Sequence, residues 1–535
     1  MTGTLSKAEH KKGTLGSLAS GVLGGTLSLT VSTVIVKLLG VIYKIPLARL
    51  LGDEGMGYFN SAYTVYAFFY LLCTAGVPKA VMILVSEAKA RGSGINERSI
   101  LRLAMGTFFA LGAVITGAFM FLSEPLAELI GNKSSTATMI AIAPSIIFIS
   151  LAGVVRGYLS ANLKLTGIAI SQILEGVGKL VFGLIFASFG VRRGLPLSAV
   201  SALTILGVTI GAIFGLLYLF FASRDLEISK ISKQKLTKTD KKYIKKRIFA
   251  ISVPITVSAA VMSITNIIDL GLIMRRLIEQ GYTELEAASL YGNYTTLAVP
   301  MFNLVISLVS PISIAFLPLL TRASALGDKP GFSNTYKSTV TFTAFVSAPL
   351  MIGIMTYARE ILTLLFGESG VDTGATLLCL LAPALFFATM LLAVNSALEA
   401  RGAVKAPVIS MAVGSIVKII VSYFLLGDEA FGISGAPIGT VASYAVALTV
   451  SLIMAHKRGI ANTRILSTYL PPLVNSLVAI IGSRIVFDTL MKNLHPTLSL
   501  GIAIALSVII YLFLTLFLGV FRKSNIRGLC ESGKI

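Results

Sequence analysis

Apolar stretches of roughly 20 residues recur from Leu27 to Phe521, each as long as an α-helix must be to cross about 30 Å of hydrocarbon. A water-soluble core could not absorb so much apolar surface. Hydrophobic residues make up 55% of the chain and charged ones 13%, where a soluble domain has about a quarter of its residues charged. The pattern predicts an all-α integral membrane bundle of fourteen spans. They are expected near Leu27 to Leu47, Ala62 to Ser86, Leu103 to Leu122, Thr136 to Val155, Leu165 to Phe189, Leu197 to Ala222 and Ile248 to Met274. The remaining seven are expected near Tyr291 to Leu320, Val340 to Tyr357, Ala375 to Leu398, Pro407 to Leu426, Ile433 to Ala455, Tyr469 to Phe487 and Thr497 to Phe521.

A net charge of +21 over 535 residues raises the question of nucleic acid, and the placement of the basic residues answers it. With the N-terminus inside, 31 Lys and Arg fall on the tails and inner connections, 8 on the outer connections and 6 within spans, together the 45 of the sequence. That asymmetry is the positive-inside signature of a membrane protein with both termini cytoplasmic. The run from Arg224 to Arg247 holds ten of these charges, and a basic segment beside the membrane is drawn to anionic headgroups at about 1 kcal/mol per charge. Nucleic acid is not an expected partner. The first apolar stretch is followed by no small-residue cleavage site and is read as a retained span. Cys73, Cys379 and Cys530 and the three histidines are too far apart to suggest a disulfide framework, a metal site or a cofactor.

The sequence repeats itself. LSANLKLTGIAISQILEGVGKLV from Leu159 aligns without a gap on LEARGAVKAPVISMAVGSIVKII from Leu398, pairing Ser171 with Ser410 and Lys179 with Lys418. GYFNSAYTVYAFFYLLCTAGVP, ending at Pro78, likewise aligns on LYGNYTTLAVPMFNLVISLVSP, ending at Pro311. Both shifts equal six spans, so the halves keep the same orientation in the membrane. The expected organisation is a lobe of six spans over 1–223, a basic linker over 224–247, a second six-span lobe over 248–457, and an appended pair with the tail over 458–535. No P-loop, nucleophile motif or pair of positioned carboxylates accompanies them, so an enzyme is not expected.

Charges inside spans cost roughly 2.5–3.5 kcal/mol each on insertion scales and are functional candidates by default. Here they are Lys37, Lys44, Lys79, Lys179, Lys418 and Arg484 against Glu175 and Asp269. Lys37 and Lys44, seven residues apart, project from nearly the same helix face, and Lys79 follows Pro78. If the lysine faces converge on a cleft between the lobes, they form a cationic cavity suited to a pyrophosphate. Lys37, Lys44, Lys79, Lys179 and Lys418 are the expected substrate-binding residues, with Glu175 and Asp269 as possible ion or coupling sites. Glu175 and Lys179, four apart, can equally form a structural ion pair, and Lys44 and Arg484 can snorkel to the headgroups.

The stretch VKLLGVIYKIPLARLLGDEGMGYFNSAYTVYAFFYLLCTAGVPKA, from Val36 to Ala80, resembles the opening of the multidrug/oligosaccharidyl-lipid/polysaccharide flippase superfamily. It is closest to the branch of stage V sporulation protein B, YtgP and the MurJ lipid II flippases. The resemblance implies two six-helix lobes that flip undecaprenyl-pyrophosphate-linked sugars outward across the bacterial cytoplasmic membrane by alternating access. It also implies basic residues around a Leu-Gly pair in the first span. Lys37 stands at the first such position, before Leu39 and Gly40, while Tyr43 occupies the second with Lys44 beside it. Thr295 stands where the resemblance expects a cavity arginine in the eighth span. The expected partners are an anionic lipid-linked oligosaccharide and membrane lipids, and the chain is expected to work as a monomer. The alternatives are a flippase for another lipid-linked polysaccharide, a cation-coupled drug exporter, which should carry carboxylates that the first two spans lack, and a glycan polymerase or transferase resting on Asp269.

Overall fold

The structure, a computed structural model, describes residues 2–91, 97–224, 237–403, 405–460, 465–491 and 494–517. Most of the expected basic linker (225–236) and the tail with Cys530 lie outside the described residues. Among the described residues every regular element is helical. Eleven helices are long and apolar enough to cross a membrane, or twelve if the pair Lys133–Ile142 and Ser145–Ala161, bent by 42°, counts as one span. The expected all-helical membrane bundle is therefore observed at this coarser count.

One of the eleven, Ile35–Lys89, is 55 residues long and contains a reversal. Within α1 (Thr2–Thr74) the helix breaks at Gly52, whose φ of 63° and ψ of −174° suit glycine. The rings of Tyr43 and Phe59 lie 6.2 Å apart, whereas sixteen residues of straight helix would separate them by about 24 Å. α1 therefore doubles back; its first limb covers the first expected span and its second limb the start of the second, which continues through the following helix, Val77–Arg91.

The chain divides into two compact units, Met1–Gly271 and Leu272–Ile535. In the first, α1 is followed by α2 (Val77–Arg91), α3 (Glu97–Leu129), α4 (Thr136–Ile142), α5 (Ser145–Ala161), α6 (Leu165–Arg192), α7 (Leu197–Arg224) and α8 (Lys238–Glu279), which runs across the division. Burial is arranged as lipid requires rather than as water does. Val114 and Phe121 on α3 and Leu217 and Phe221 on α7 are exposed, while Ser123, Ser150, Ser171, Ser201 and Thr204 are buried. Lipid tails solvate large apolar side chains, so small residues are left to make the close helix contacts. α8 opens on a reciprocal cap: Asp240 N–H donates to Thr237 Oγ1, and Thr237 N–H donates to the Asp240 carboxylate. The Thr237 hydroxyl also donates to Asp240 Oδ2 at 2.6 Å, and that bond first, then the Thr237 N–H bond, holds the Asp240 carboxyl below its ordinary range. Just beyond the cap, Ile244 and Ile248 pack on Val81 and Leu84 of α2 and Phe108 of α3, with Lys241, Lys242, Lys245 and Lys246 exposed.

The second unit comprises α9 (Glu284–Asn293), a π-helical turn over Tyr294–Ala298, α10 (Val299–Ala325), α11 (Lys329–Phe366), α12 (Val371–Leu381), α13 (Pro383–Ala400), α14 (Ala406–Leu425), α15 (Gly435–Lys457), α16 (Ile465–Leu490) and α17 (Pro496–Phe517). α16 and α17 attach to α11 through polar contacts. Tyr357 Oη meets Ser483 Oγ at 2.8 Å, Tyr511 Oη donates to the Phe345 carbonyl at 2.8 Å, and Arg484 Nη1 meets Glu360 Oε1 at 2.5 Å. Arg484 also pairs with Asp488 at 3.3 Å. Arg484, expected to snorkel, makes ion pairs in the structure, because α11 runs on past Tyr357 and brings Glu360 alongside.

Candidate functional site

The site in the first unit is built on a glycine seam. Gly207, Gly211 and Gly215 repeat every four residues on α7, so they line one stripe of that helix. A Cβ on Gly207 would lie 2.5 Å from the Gly183 backbone nitrogen, and one on Gly211 2.4 Å from the Glu175 carbonyl oxygen. Only glycine permits that approach. The seam fixes the backbone of α6 at the two turns that carry Glu175 and Lys179.

α1 packs against the neighbouring face of α6. A Cβ on Gly183 would lie 2.6 Å from Tyr43 Oη, and one on Gly176 3.3 Å from Leu39 Cδ1. From this contact the aromatic residues of the α1 hairpin form a continuous row. Tyr43 meets Phe59, Phe59 stacks on Tyr63 at 6.2 Å, Tyr63 meets Tyr66 at 5.7 Å, and Tyr66 meets Tyr70 at 5.9 Å. The Lys179 ammonium sits over two members of the row, 4.5 Å from the Tyr63 ring centroid and 5.3 Å from that of Tyr43. Rings at that range attract a cation with about 0.5–2 kcal/mol, the larger value applying when water is excluded. Lys44 lies near enough to Lys179 for the two charges to repel.

Glu175 does not pair with Lys179. Its Oε2 accepts from Arg156 Nη2 of α5 at 2.7 Å, with the side chains 26% and 13% exposed. Arg156 falls outside the expected fourth span, which was bounded at Val155, but α5 continues to Ala161 and makes the guanidinium part of the helix. A signal for it existed in the sequence: a basic residue one position beyond an apolar run, with no proline or further charge before Asn162. Phe59, Tyr63, Tyr66 and Tyr70 stand at the spacing of one helix face and so were readable as a stripe, but their junction with Tyr43 was not, since it depends on how the hairpin closes. The cluster therefore combines three cations, Lys44, Arg156 and Lys179, with one carboxylate and several phenol rings.

The remaining candidates are distributed as follows. Lys37 is exposed on α1, and Lys79 is exposed on the first turn of α2. Pro78 beside Lys79 packs on α5, where a Cβ on Gly157 would lie 2.4 Å from the Pro78 carbonyl. Asp269 is buried on α8. In the second unit Lys418 lies on α14 within electrostatic reach of Tyr444 on α15, and Tyr444 meets Phe302 of α10 at 5.7 Å. The backbone setting of the two repeat lysines is alike. A Cβ on Gly207 would lie 3.0 Å from the Lys179 carbonyl oxygen, and one on Gly439 3.3 Å from that of Lys418. Thr295 falls in the π-helical turn, its hydroxyl bonded to the Tyr291 carbonyl at 2.7 Å; such turns are frequent at functional sites. Among the described residues no group of three or more His, Cys, Asp or Glu could hold a metal ion.

Comparison with known proteins is consistent across sequence and structure. The family model described as polysaccharide biosynthesis protein matches residues 22–324, and the model described as MatE matches 254–424. Stage V sporulation protein B of Bacillus subtilis (strain 168) is 23% identical over 522 residues, covering 96% of this chain and 98% of that protein. The lipid II flippase MurJ of the same organism is 24% identical over 461 residues, covering 82% and 83%. A solved structure of lipid II flippase MurJ in an inward closed conformation superposes with a TM-score of 0.71 at 16% identity, covering 91% of this chain and 98% of that one.

Proposed function

Because the chain belongs to the polysaccharide biosynthesis protein family, within the flippase superfamily that its opening spans resemble, we propose that it translocates lipid II from the inner to the outer leaflet. It is a multi-pass protein of the bacterial cytoplasmic membrane, and its relatives support a transporter rather than an enzyme. The observation that carries the substrate class is the cationic excess of the first unit. Arg156, Lys44 and Lys179 outnumber Glu175 at the junction of α1, α5 and α6, where each charge is costly in lipid. A diphosphate repays that cost by supplying several acceptor oxygens to guanidinium and ammonium donors. The sugar and peptide of the headgroup would need the polar phenol row for support.

In this reading Lys37, Lys79 and Lys418 are further substrate contacts during alternating access, and the chain acts as a monomer of fourteen spans with both termini cytoplasmic. The lobes over 1–223 and 248–457 are its moving parts. An inside-negative potential favours outward movement of an anion by about 2.3 kcal/mol per charge per 100 mV. The MatE match over 254–424 supports a second reading, a cation-coupled exporter with Asp269 as its carboxylate. The lysine excess argues against it, since it repels a cationic drug.

The test is translocation of a fluorescent undecaprenyl-pyrophosphate disaccharide-pentapeptide in proteoliposomes under an imposed potential. Wild type is expected to move it, and Lys179→Ala and Lys418→Ala to slow it at least tenfold. Transport of organic cations without any polyprenyl diphosphate would replace this reading by the exporter. Transport of a different lipid-linked glycan alone would keep the flippase and remove lipid II.

A further inference from the structure

Arg156 and Glu175 form a part of the cluster whose charges already cancel, and a site for an anion has no obvious need of a carboxylate. The geometry gives that carboxylate a defined place. Glu175 is held on the seam by Gly211 and Gly215 of α7. Arg156 of α5 bonds it at 2.7 Å, Lys179 stands one turn further along α6, and Tyr66 and Tyr70 of α1 lie within electrostatic reach. Arg156 Nε is buried without a hydrogen-bond partner, so the guanidinium has a donor to spare. A planar guanidinium binds a phosphate through two parallel hydrogen bonds as readily as a carboxylate. A carrier that releases an anion on one side must also return without it, and on that leg its cations have lost their counter-charge.

We propose that Glu175 is an internal stand-in for the substrate's phosphate, holding Arg156 in the empty carrier and yielding it to the lipid diphosphate in the loaded one. The exchange keeps Arg156 compensated in both states. The released carboxylate then has Lys179 one turn away, at the spacing where opposite charges meet on a helix. Arg156 is accordingly a substrate contact and Glu175 a positioning residue. This inference rests on the flippase reading above.

The test separates net transport, which requires the empty carrier to return, from leaflet exchange, which does not. The probe is the same fluorescent undecaprenyl-pyrophosphate disaccharide-pentapeptide in proteoliposomes, with unlabelled lipid in the opposite leaflet for exchange. Glu175→Gln is expected to lower the apparent KM about tenfold and to slow net transport at least tenfold, while exchange stays within about twofold of wild type. Glu175→Asp should restore net transport. If Glu175→Gln slows both processes equally, or neither, the pair is structural and the proposal fails. Should that variant not fold, Arg156→Lys decides. It keeps the ion pair but not the twin donors, so KM should rise about tenfold, and an unchanged KM overturns the proposal. If wild type moves no polyprenyl diphosphate at all, the flippase reading itself falls, and this inference with it.

Discussion

Lys179 shows how much a single residue's chemistry depends on what surrounds it. Its charge was legible in the sequence, and so was its correspondence with Lys418. Its partners were not, because Glu175 at the favourable spacing is taken by Arg156 and the ammonium rests on Tyr63 and Tyr43 instead. Those rings reach it only after the α1 hairpin closes, an event no local pattern encodes. If the Tyr63 face positions the ammonium, Tyr63→Phe should bind undecaprenyl diphosphate as wild type does. Tyr63→Leu should bind it about fivefold more weakly, the equivalent of about 1 kcal/mol of cation–π attraction. Equilibrium binding in detergent measures this, and equal losses in both variants would assign the effect to the hydroxyl. Arg156 was missed for a different reason: helix ends are poorly marked in an apolar chain, where the cost of extending a helix by one turn is small.

At the level of elements, apolar length located most helices, and the internal repeat pairs α6 with α14 in the sequence alone. The seam between α6 and α7 was less legible, because Gly207, Gly211 and Gly215 read equally well as flexible points or as contact points. The close approaches decide for contact. Gly211→Leu would drive a side chain into the Glu175 carbonyl, a backbone atom that cannot rotate aside, and overpacking of this kind costs about 1–3 kcal/mol. Thermal unfolding in detergent should show a clear loss for Gly211→Leu and almost none for Gly106→Ala, whose Cβ meets nothing within 4 Å. Equal melting temperatures would mean that α7 can move away from α6. The attachment of α16 to α11 through Arg484 and Glu360 was hidden in the sequence, since α11 continues 9 residues past the expected end at Tyr357, to Phe366.

For the whole molecule, the distribution of basic residues predicts an orientation that labelling can check. In a background with the native cysteines replaced by serine, a cysteine at Lys133, between α3 and α4, should react with an impermeant maleimide added to intact cells. One at Lys241, at the start of α8, should react only after the cells are opened. The reverse pattern would invert the topology and with it the direction of transport. The reversal of α1 at Gly52 also bears on how the chain is made. Its first limb carries Lys37 and Lys44 and on its own is a poor candidate for partition from the translocon. Its second limb, rich in Tyr and Phe, follows after a turn too short to leave room for independent insertion. The nascent chain should therefore commit both limbs to lipid together, as a hairpin. A ribosome stalled with only the first limb exposed would hold a segment still extractable by alkali, and synthesis of the second limb would make it resistant.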